Sequence, residues 1–266
     1  MKRYSSAVSD SIAKFTFMTR PVWRNSFNTA LEAEAAVLNN DGQVFELEAW
    51  FHRQRDLASH TLRLLRETNT WQGARPSTLP LVLAGGSSKL VVDLGGGSGW
   101  VYPLLQHLGL TPARYVVLEL PEVASYFQAH PISGVEYKSI ESSDFSLNPP
   151  IDLLYCNSSL QYMSDNTPLL RQIQDLNPNI LLIDELLWTL GSEDWFTIQQ
   201  NSLRKTVARF VSLTKIVSEV SSLGLKLIWS GYFGAGHTGY EFPKMSNFEP
   251  ELRIDHAKTL LFVRKS

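Results

Sequence analysis

The segment at residues 91–100, VVDLGGGSGW, combines a carboxylate with a glycine-rich turn. Asp93 follows two valines, and four of the next six residues are glycine. Glycine allows positive φ and lets the backbone approach a ligand closely. An apolar strand that ends in such a turn predicts a ligand site for a phosphate or an adenosine-containing cofactor, and the alternative is a tight turn without a ligand.

The glycine spacing separates two classes of cofactor. The dinucleotide fingerprint G-x-G-x-x-G fails, because counting from Gly95 places Trp100 at the third glycine. The pattern acidic-x-G-x-G-x-G fits instead. This segment resembles the first motif of class I S-adenosylmethionine-dependent methyltransferases. The resemblance implies S-adenosylmethionine as the cofactor and assigns its binding to Asp93, Gly95, Gly96, Gly97 and Gly99.

A second acidic residue supports an adenosine ligand. Glu119 ends the next predicted strand, 20 residues after Gly99. A carboxylate at that place accepts hydrogen bonds from ribose hydroxyls, for a nicotinamide cofactor and S-adenosylmethionine alike. A sulfonium carries positive charge and no phosphate, so Asp93 beside the loop favours a methyltransferase over an oxidoreductase.

The resemblance extends over about residues 85–200. The segment VVLELPEV is similar to the second strand of small-molecule O-methyltransferases, and SDFS is similar to their adenine-binding segment, which implies that role for Asp144. The segment NSSLQYMSDN falls where those enzymes carry a base histidine, and Gln161 takes that position. Because an amide cannot take a proton, that base mechanism does not transfer.

A second group resembles the chain more closely. The chain is similar to bacterial methyltransferase-like proteins that have an SSLQY signature and a helical N-terminal segment. The similarity rests on five segments of the chain, which are LGGGSGW, VVLE, SSLQY, LIDE and FTIQ. These proteins are often associated with surface-polysaccharide or natural-product gene clusters. The resemblance implies methyl transfer to a small-molecule or saccharide acceptor, and it leaves the acceptor undefined.

Methyl transfer needs alignment and, for a hydroxyl acceptor, removal of a proton. Asn157 and Ser158 follow the fourth strand and are predicted to hold the cofactor or an acceptor, with a turn role as the alternative. The catalytic candidates are Tyr162, Glu185 and His237. The alternative for Tyr162 is a place in the pocket wall, that for Glu185 is a surface ion pair, and that for His237 is an exposed position on a loop. Transfer to oxygen is favoured. The histidines are dispersed, so no metal site is predicted.

The pattern of elements predicts an α/β fold. Apolar strands alternate with helices after residue 75, which predicts a doubly wound sheet of seven strands. The resemblance implies that this sheet is mostly parallel and of the Rossmann-like methyltransferase type. Residues 1–75 are predicted to form a helical cap, and residues 76–266 the S-adenosylmethionine-binding domain. Residues 73–80 read as a linker, and residues 205–224 as one amphipathic helix.

Composition limits the partners. The net charge of −2 gives no global attraction to nucleic acid or an anionic membrane, and a single cysteine gives no sign of an oxidising compartment. We therefore expect a cytoplasmic protein and a possible homodimer through the apolar face of the N-terminal helices. The alternatives are a methyltransferase-like scaffold without turnover and, less favoured, a nicotinamide-dependent oxidoreductase.

Overall fold

The computed structural model describes residues 22–37, 48–68, 77–86, 90–141, 147, 150–200, 205–233 and 242–265. The strands within these ranges are β1 (Trp23–Phe27), β2 (Leu90–Leu94), β3 (Arg114–Glu119), β4 (Val135–Ser139), β5 (Leu153–Asn157), β6 (Ile180–Leu186), β7 (Trp188–Thr189), β8 (Trp195–Gln200), β9 (Lys205–Ser212), β10 (Leu225–Tyr232) and β11 (Lys258–Arg264). The α-helices are α1 (Ala30–Val37), α2 (Glu48–Thr68), α3 (Leu79–Ala84), α4 (Tyr102–His107), α5 (Pro121–Ala129), α6 (Thr167–Leu176) and α7 (Leu213–Ser222).

The main sheet has seven strands in the order β4-β3-β2-β5-β6-β11-β10. Its neighbouring strands pair in parallel except around β11, which is antiparallel to both β6 and β10. The predicted seven-stranded, mostly parallel sheet is therefore confirmed. The strand order reverses between β2 and β5, and ligands of such sheets bind in the crevice beyond the carboxyl ends of the strands at this point.

Two apolar cores cover the two faces of the main sheet. On β2, Val92 and Leu94 belong to the core beneath α6 and α7, whereas Val91 belongs to the core beneath α4 and α5. Successive side chains of a strand point to opposite faces, so a strand buried on both faces must be apolar throughout. This arrangement explains the continuous valine and leucine runs of the sequence.

The chain also forms a small sheet of four strands in the order β1-β8-β9-β7. Because of this small sheet, the prediction of one helix over residues 205–224 is wrong in its first part. Residues 205–212 form β9, and only residues 213–222 are helical. Phe210 packs in a cluster with Trp23 and Trp195, while Val211 packs in the core beneath α6 and α7. The end of β9 is therefore buried on both sides. Ser212 then begins the helix, because its side chain accepts a hydrogen bond from the backbone of Lys215. The apolar residues of segment 205–212 fit either a helix or a strand. This segment is a strand because its end is buried on both sides in the folded protein.

Residues 79–80 of the predicted linker are helical and belong to α3. Thr78 donates its backbone N–H to the Asp184 carboxylate at 2.8 Å, and Leu79 begins α3. The helices predicted before residue 75 are present as α1 and α2, and β1 adds a strand that pairs with β8. The division of the chain at residue 75 remains a prediction. In the part of the chain that the structure describes, no helix is long and apolar enough to cross a membrane.

Candidate cofactor-binding site

The glycine turn lies directly after β2, at the point where the strand order reverses. The backbone N–H of Gly95 donates to the carbonyl oxygen of Leu118 at 2.8 Å, which fixes the turn against β3. Gly95, Gly97 and Gly99 have φ of 72°, 58° and 69°. Residues with a Cβ rarely take these values, so the three spaced glycines are required by the backbone path.

Close packing also requires small residues in this turn. A Cβ on Gly95 would lie 2.5 Å from the Cβ of Ser159, in the loop after β5. A Cβ on Gly96 would collide with the carboxylate of Asp93. The turn is therefore packed against the carboxylate of its own strand and against the loop that follows the neighbouring strand β5.

Glu119, the predicted ribose-binding acid, contacts the glycine turn. The Glu119 carboxylate accepts hydrogen bonds from the backbone N–H of Gly97 at 2.8 Å and from that of Leu120 at 3.0 Å. Burial raises the pKa of Glu119, and these two hydrogen bonds act in the opposite direction. Glu119 is half-buried, and its carboxylate stands beside the turn.

Asp93 lies beneath the turn. Its side chain is 1% exposed, and Oδ2 accepts a hydrogen bond from the hydroxyl of Tyr115 at 2.7 Å. Oδ1 has no hydrogen-bond partner within the described part of the chain. Burial raises the pKa of Asp93 to about 7, the Tyr115 hydrogen bond opposes this shift, and the charge of Glu119 adds to it.

The loop after β5 carries the NSSLQY segment and forms the other side of the crevice. Ser158 has φ of 54°, and its hydroxyl accepts a hydrogen bond from the Gln161 side chain at 2.7 Å. Three buried oxygen atoms of this loop have no hydrogen-bond partner among the described residues: Asn157 Oδ1, Ser159 Oγ and Gln161 Oε1. Buried polar atoms are normally paired, so these oxygens mark a place where a ligand can bind. Sequence reasoning did not select Ser159 as a site residue.

The two acidic residues near the end of β6 differ in surroundings. Asp184 is buried, and its carboxylate accepts hydrogen bonds from Thr78, from Thr259 at 2.8 Å and from Tyr155 at 3.3 Å. Burial raises the pKa of Asp184, and its hydrogen bonds oppose the shift. Glu185 is half-buried and has φ of 52°, a left-handed backbone conformation that is uncommon for a residue with a side chain. Asp184 thus anchors α3, and Glu185 is left as the acceptor-side candidate.

The other candidates are placed differently. The Tyr162 hydroxyl donates to the side chain of Gln199 in β8 at 2.9 Å, which links the NSSLQY loop to the small sheet. Asp144 and His237 lie outside the described residues. Cys156 is buried, and burial raises the pKa of its thiol well above the usual value, which fits a packing role. The described residues contain no group of three potential metal ligands.

The chain is similar in fold to solved methyltransferases. The glycopeptide N-methyltransferase MtfA, complexed with (S)-adenosyl-L-homocysteine, matches with a TM-score of 0.51 and 16% identity, over 77% of this chain and 98% of that chain. A chain from the complex between the Haloferax volcanii Trm112 methyltransferase activator and a protein described as a methyltransferase matches with a TM-score of 0.50 and 15% identity, over 85% of this chain and 100% of that chain. No protein-family model and no curated protein matches the sequence. These likenesses establish the fold, which is that of class I methyltransferases.

Proposed function

We propose that the protein is an S-adenosylmethionine-dependent methyltransferase that acts on a small-molecule or saccharide acceptor. The observation that carries the proposal is the 2.8 Å hydrogen bond between the Glu119 carboxylate and the Gly97 N–H at the point where the strand order reverses. It joins a ribose-binding acid to a glycine turn whose spacing excludes the dinucleotide fingerprint. The closer resemblance to the SSLQY group supports the same reaction.

The residues of the crevice fit this cofactor. The backbone of Gly95, Gly96 and Gly97 approaches the ligand, and Glu119 accepts hydrogen bonds from the ribose hydroxyls. Asp93 is buried beneath the turn, so it acts on the site by supporting the loop. When bound, S-adenosylmethionine supplies the electrophilic methyl group. Asn157 ends β5 and Ser158 begins the loop that packs against Gly95, where they can orient the cofactor or the acceptor.

We propose oxygen as the methylated atom, with Glu185, Tyr162 and His237 as the candidates that orient the acceptor or take its proton. The side-chain oxygens of Asn157, Ser159 and Gln161 have no hydrogen-bond partner among the described residues, and they can accept hydrogen bonds from hydroxyl or amino groups of an acceptor. This lining favours a polar acceptor with donor groups.

A scaffold protein without turnover is the second candidate, and Gln161 is the observation that favours it. Its amide stands where related O-methyltransferases have a base, and it donates a hydrogen bond to Ser158. Transfer of a radioactive methyl group from S-adenosylmethionine to small molecules of a cell extract separates the two candidates. A labelled product contradicts the scaffold, whereas cofactor binding without any product supports it.

The first test of the proposed function is cofactor binding by calorimetry. We expect the wild-type protein to bind S-adenosylhomocysteine and not NAD. Gly97→Arg should abolish binding because the side chain would fill the crevice, and Glu119→Ala should weaken it strongly. Folded wild-type protein that binds neither S-adenosylmethionine nor S-adenosylhomocysteine would contradict the proposal. Light scattering tests the proposed homodimer, and a monomeric mass would remove it.

A further inference from the structure

Helix α2 lies directly against the glycine turn. The hydroxyl of Ser98, which is fully buried, donates to the backbone carbonyl oxygen of Gln54 at 3.0 Å. A Cβ on Gly97 would lie 3.3 Å from Gln54 Oε1 and 3.7 Å from Trp50 Cη2. Trp50 and Gln54 are one helical turn apart, so they share one face of α2, and that face points at the turn.

The same helix reaches the element that follows Glu119. The ring of Phe51 stacks on Tyr126 of α5 with the ring centroids 4.3 Å apart and the planes at 12°. Phe51 also meets Phe127 edge to face, at 6.3 Å between the ring centroids. Tyr126 and Phe127 lie within α5, the helix that follows Glu119, so α2 contacts both the glycine turn and the helix after β3. Both contacts border the proposed site.

The two side chains facing Gly97 have suitable chemistry for an adenosine ligand. Trp50 and Gln54 are each half-buried, so part of each remains accessible. An indole ring offers a flat apolar surface on which another ring can pack. A glutamine amide offers two donors and an acceptor for polar atoms of a ligand.

We infer that helix α2 covers the cofactor site, and that Trp50 and Gln54 are cofactor-contacting residues. The inference rests on the proposed function, since it needs a cofactor in the crevice. The glycine turn and Glu119 hold the cofactor, and Trp50 and Gln54 contact it from α2, which packs beside the turn. Trp50 packs against the adenosine portion and shields it from water, while the Gln54 amide forms hydrogen bonds with polar atoms of the ligand.

Calorimetric titration with S-adenosylhomocysteine tests this arrangement. We expect Trp50→Ala to weaken binding by about tenfold or more, because the aromatic contact and the exclusion of water are both lost. Trp50→Phe keeps an aromatic ring and should retain most of the affinity. Gln54→Ala should weaken binding by roughly threefold to tenfold, as expected for a lost hydrogen bond. Arg53→Ala is the matched control, because Arg53 is exposed on the same helix, and it should bind like the wild type.

Tryptophan fluorescence gives a readout that a loss of stability would not produce. S-Adenosylhomocysteine should change the emission of the wild-type protein, and this change should be much smaller in Trp50→Phe, which keeps the other six tryptophans. Circular dichroism checks that each variant is folded. If Trp50→Ala does not fold, the emission of Trp50→Phe and the affinity of Gln54→Ala decide the question.

The outcomes separate the two levels of the proposal. Wild-type binding with unchanged affinity in the Trp50 and Gln54 variants would overturn the cover formed by α2 and leave the proposed function standing. Absence of binding by the folded wild type would overturn the proposed function, and the cover with it. Weakened binding in Trp50→Ala and Gln54→Ala, with Arg53→Ala unaffected, is the expected result.

Discussion

Arg209 in β9 donates a hydrogen bond from Nη2 to the carbonyl oxygen of Leu160, at 3.2 Å, within the NSSLQY segment. The same guanidinium bonds to the Asp194 carboxylate at 3.1 Å and to the Asn166 side chain at 2.9 Å. Arg209 is 1% exposed, and burial lowers the pKa of its guanidinium while the charge of Asp194 opposes the shift. The small sheet therefore fixes the loop that forms one side of the crevice.

Replacement of Arg209 should destabilise the protein severely. Arg209→Leu leaves the Asp194 carboxylate buried without its cation and should lower the free energy of unfolding by about 3–5 kcal/mol. Arg114→Ala is the control, because the Arg114–Glu136 ion pair is exposed and should contribute about 0–1 kcal/mol. Urea unfolding measures both values, and equal losses in the two variants would contradict the structural role of Arg209.

A methyl group on Gly95 should damage the crevice in two separable ways. Gly95→Ala forces a side chain into a backbone conformation with φ of 72° and places its Cβ 2.5 Å from that of Ser159. The left-handed conformation alone costs about 1–2 kcal/mol, and the collision adds to that cost. Ser159→Gly removes the colliding carbon, so the double variant should regain part of the lost stability. No recovery in urea unfolding of the double variant would contradict the close contact between the turn and this loop.

Stability should decrease between about pH 4 and pH 7 because of Asp93. The pKa of Asp93 rises from 3.8 to about 7 on folding, so in this range the folded protein holds a proton that the unfolded chain has released. The folded state then binds more protons, and the free energy of unfolding falls as the pH rises, by an amount on the order of a few kcal/mol. Above about pH 7 the contribution of this residue is constant.

Asp93→Asn should make that pH dependence shallower, as measured by urea unfolding at about pH 5 and pH 8. A slope remains, because burial also raises the pKa of Glu119 and Asp184. Asp175→Asn is the control, since Asp175 is on the exposed side of α6 and should leave the slope unchanged. A slope in Asp93→Asn as steep as that of the wild type would contradict the assignment.

Glu119→Gln should weaken the binding of S-adenosylhomocysteine by roughly tenfold to a hundredfold, because a neutral amide accepts weaker hydrogen bonds from ribose hydroxyls and from the Gly97 N–H. Burial raises the pKa of Glu119, so wild-type affinity should also fall as the pH drops through that pKa and the carboxylate becomes protonated. Calorimetry over a pH series should show a weaker pH dependence in Glu119→Gln. Identical pH profiles would contradict a direct role of the ionised carboxylate.

Much of the main sheet could be predicted because its signals are local. A strand buried on both faces is apolar throughout, and the glycine spacing between β2 and α4 reports a backbone path with positive φ. Gly109 likewise follows the end of α4 with φ of 69°, which is common for a glycine just past a helix C-terminus. The small sheet could not be predicted in the same way. The pattern of residues 205–212 fits a helix locally, and only pairing with β8 and burial of Phe210 make it a strand.

The sequence by itself determined the class of the fold, the glycine turn and the acid that faces it, because each depends on residue type and spacing within one strand–turn–helix unit. The tertiary structure decided which of two adjacent acids near the end of β6 is buried, since Asp184 is held by Thr78, Tyr155 and Thr259 from three separate segments. It also decided that Trp50 and Gln54 face Gly97, across more than 40 residues of chain. Contacts between distant segments depend on packing in three dimensions, and no local pattern in the sequence encodes them.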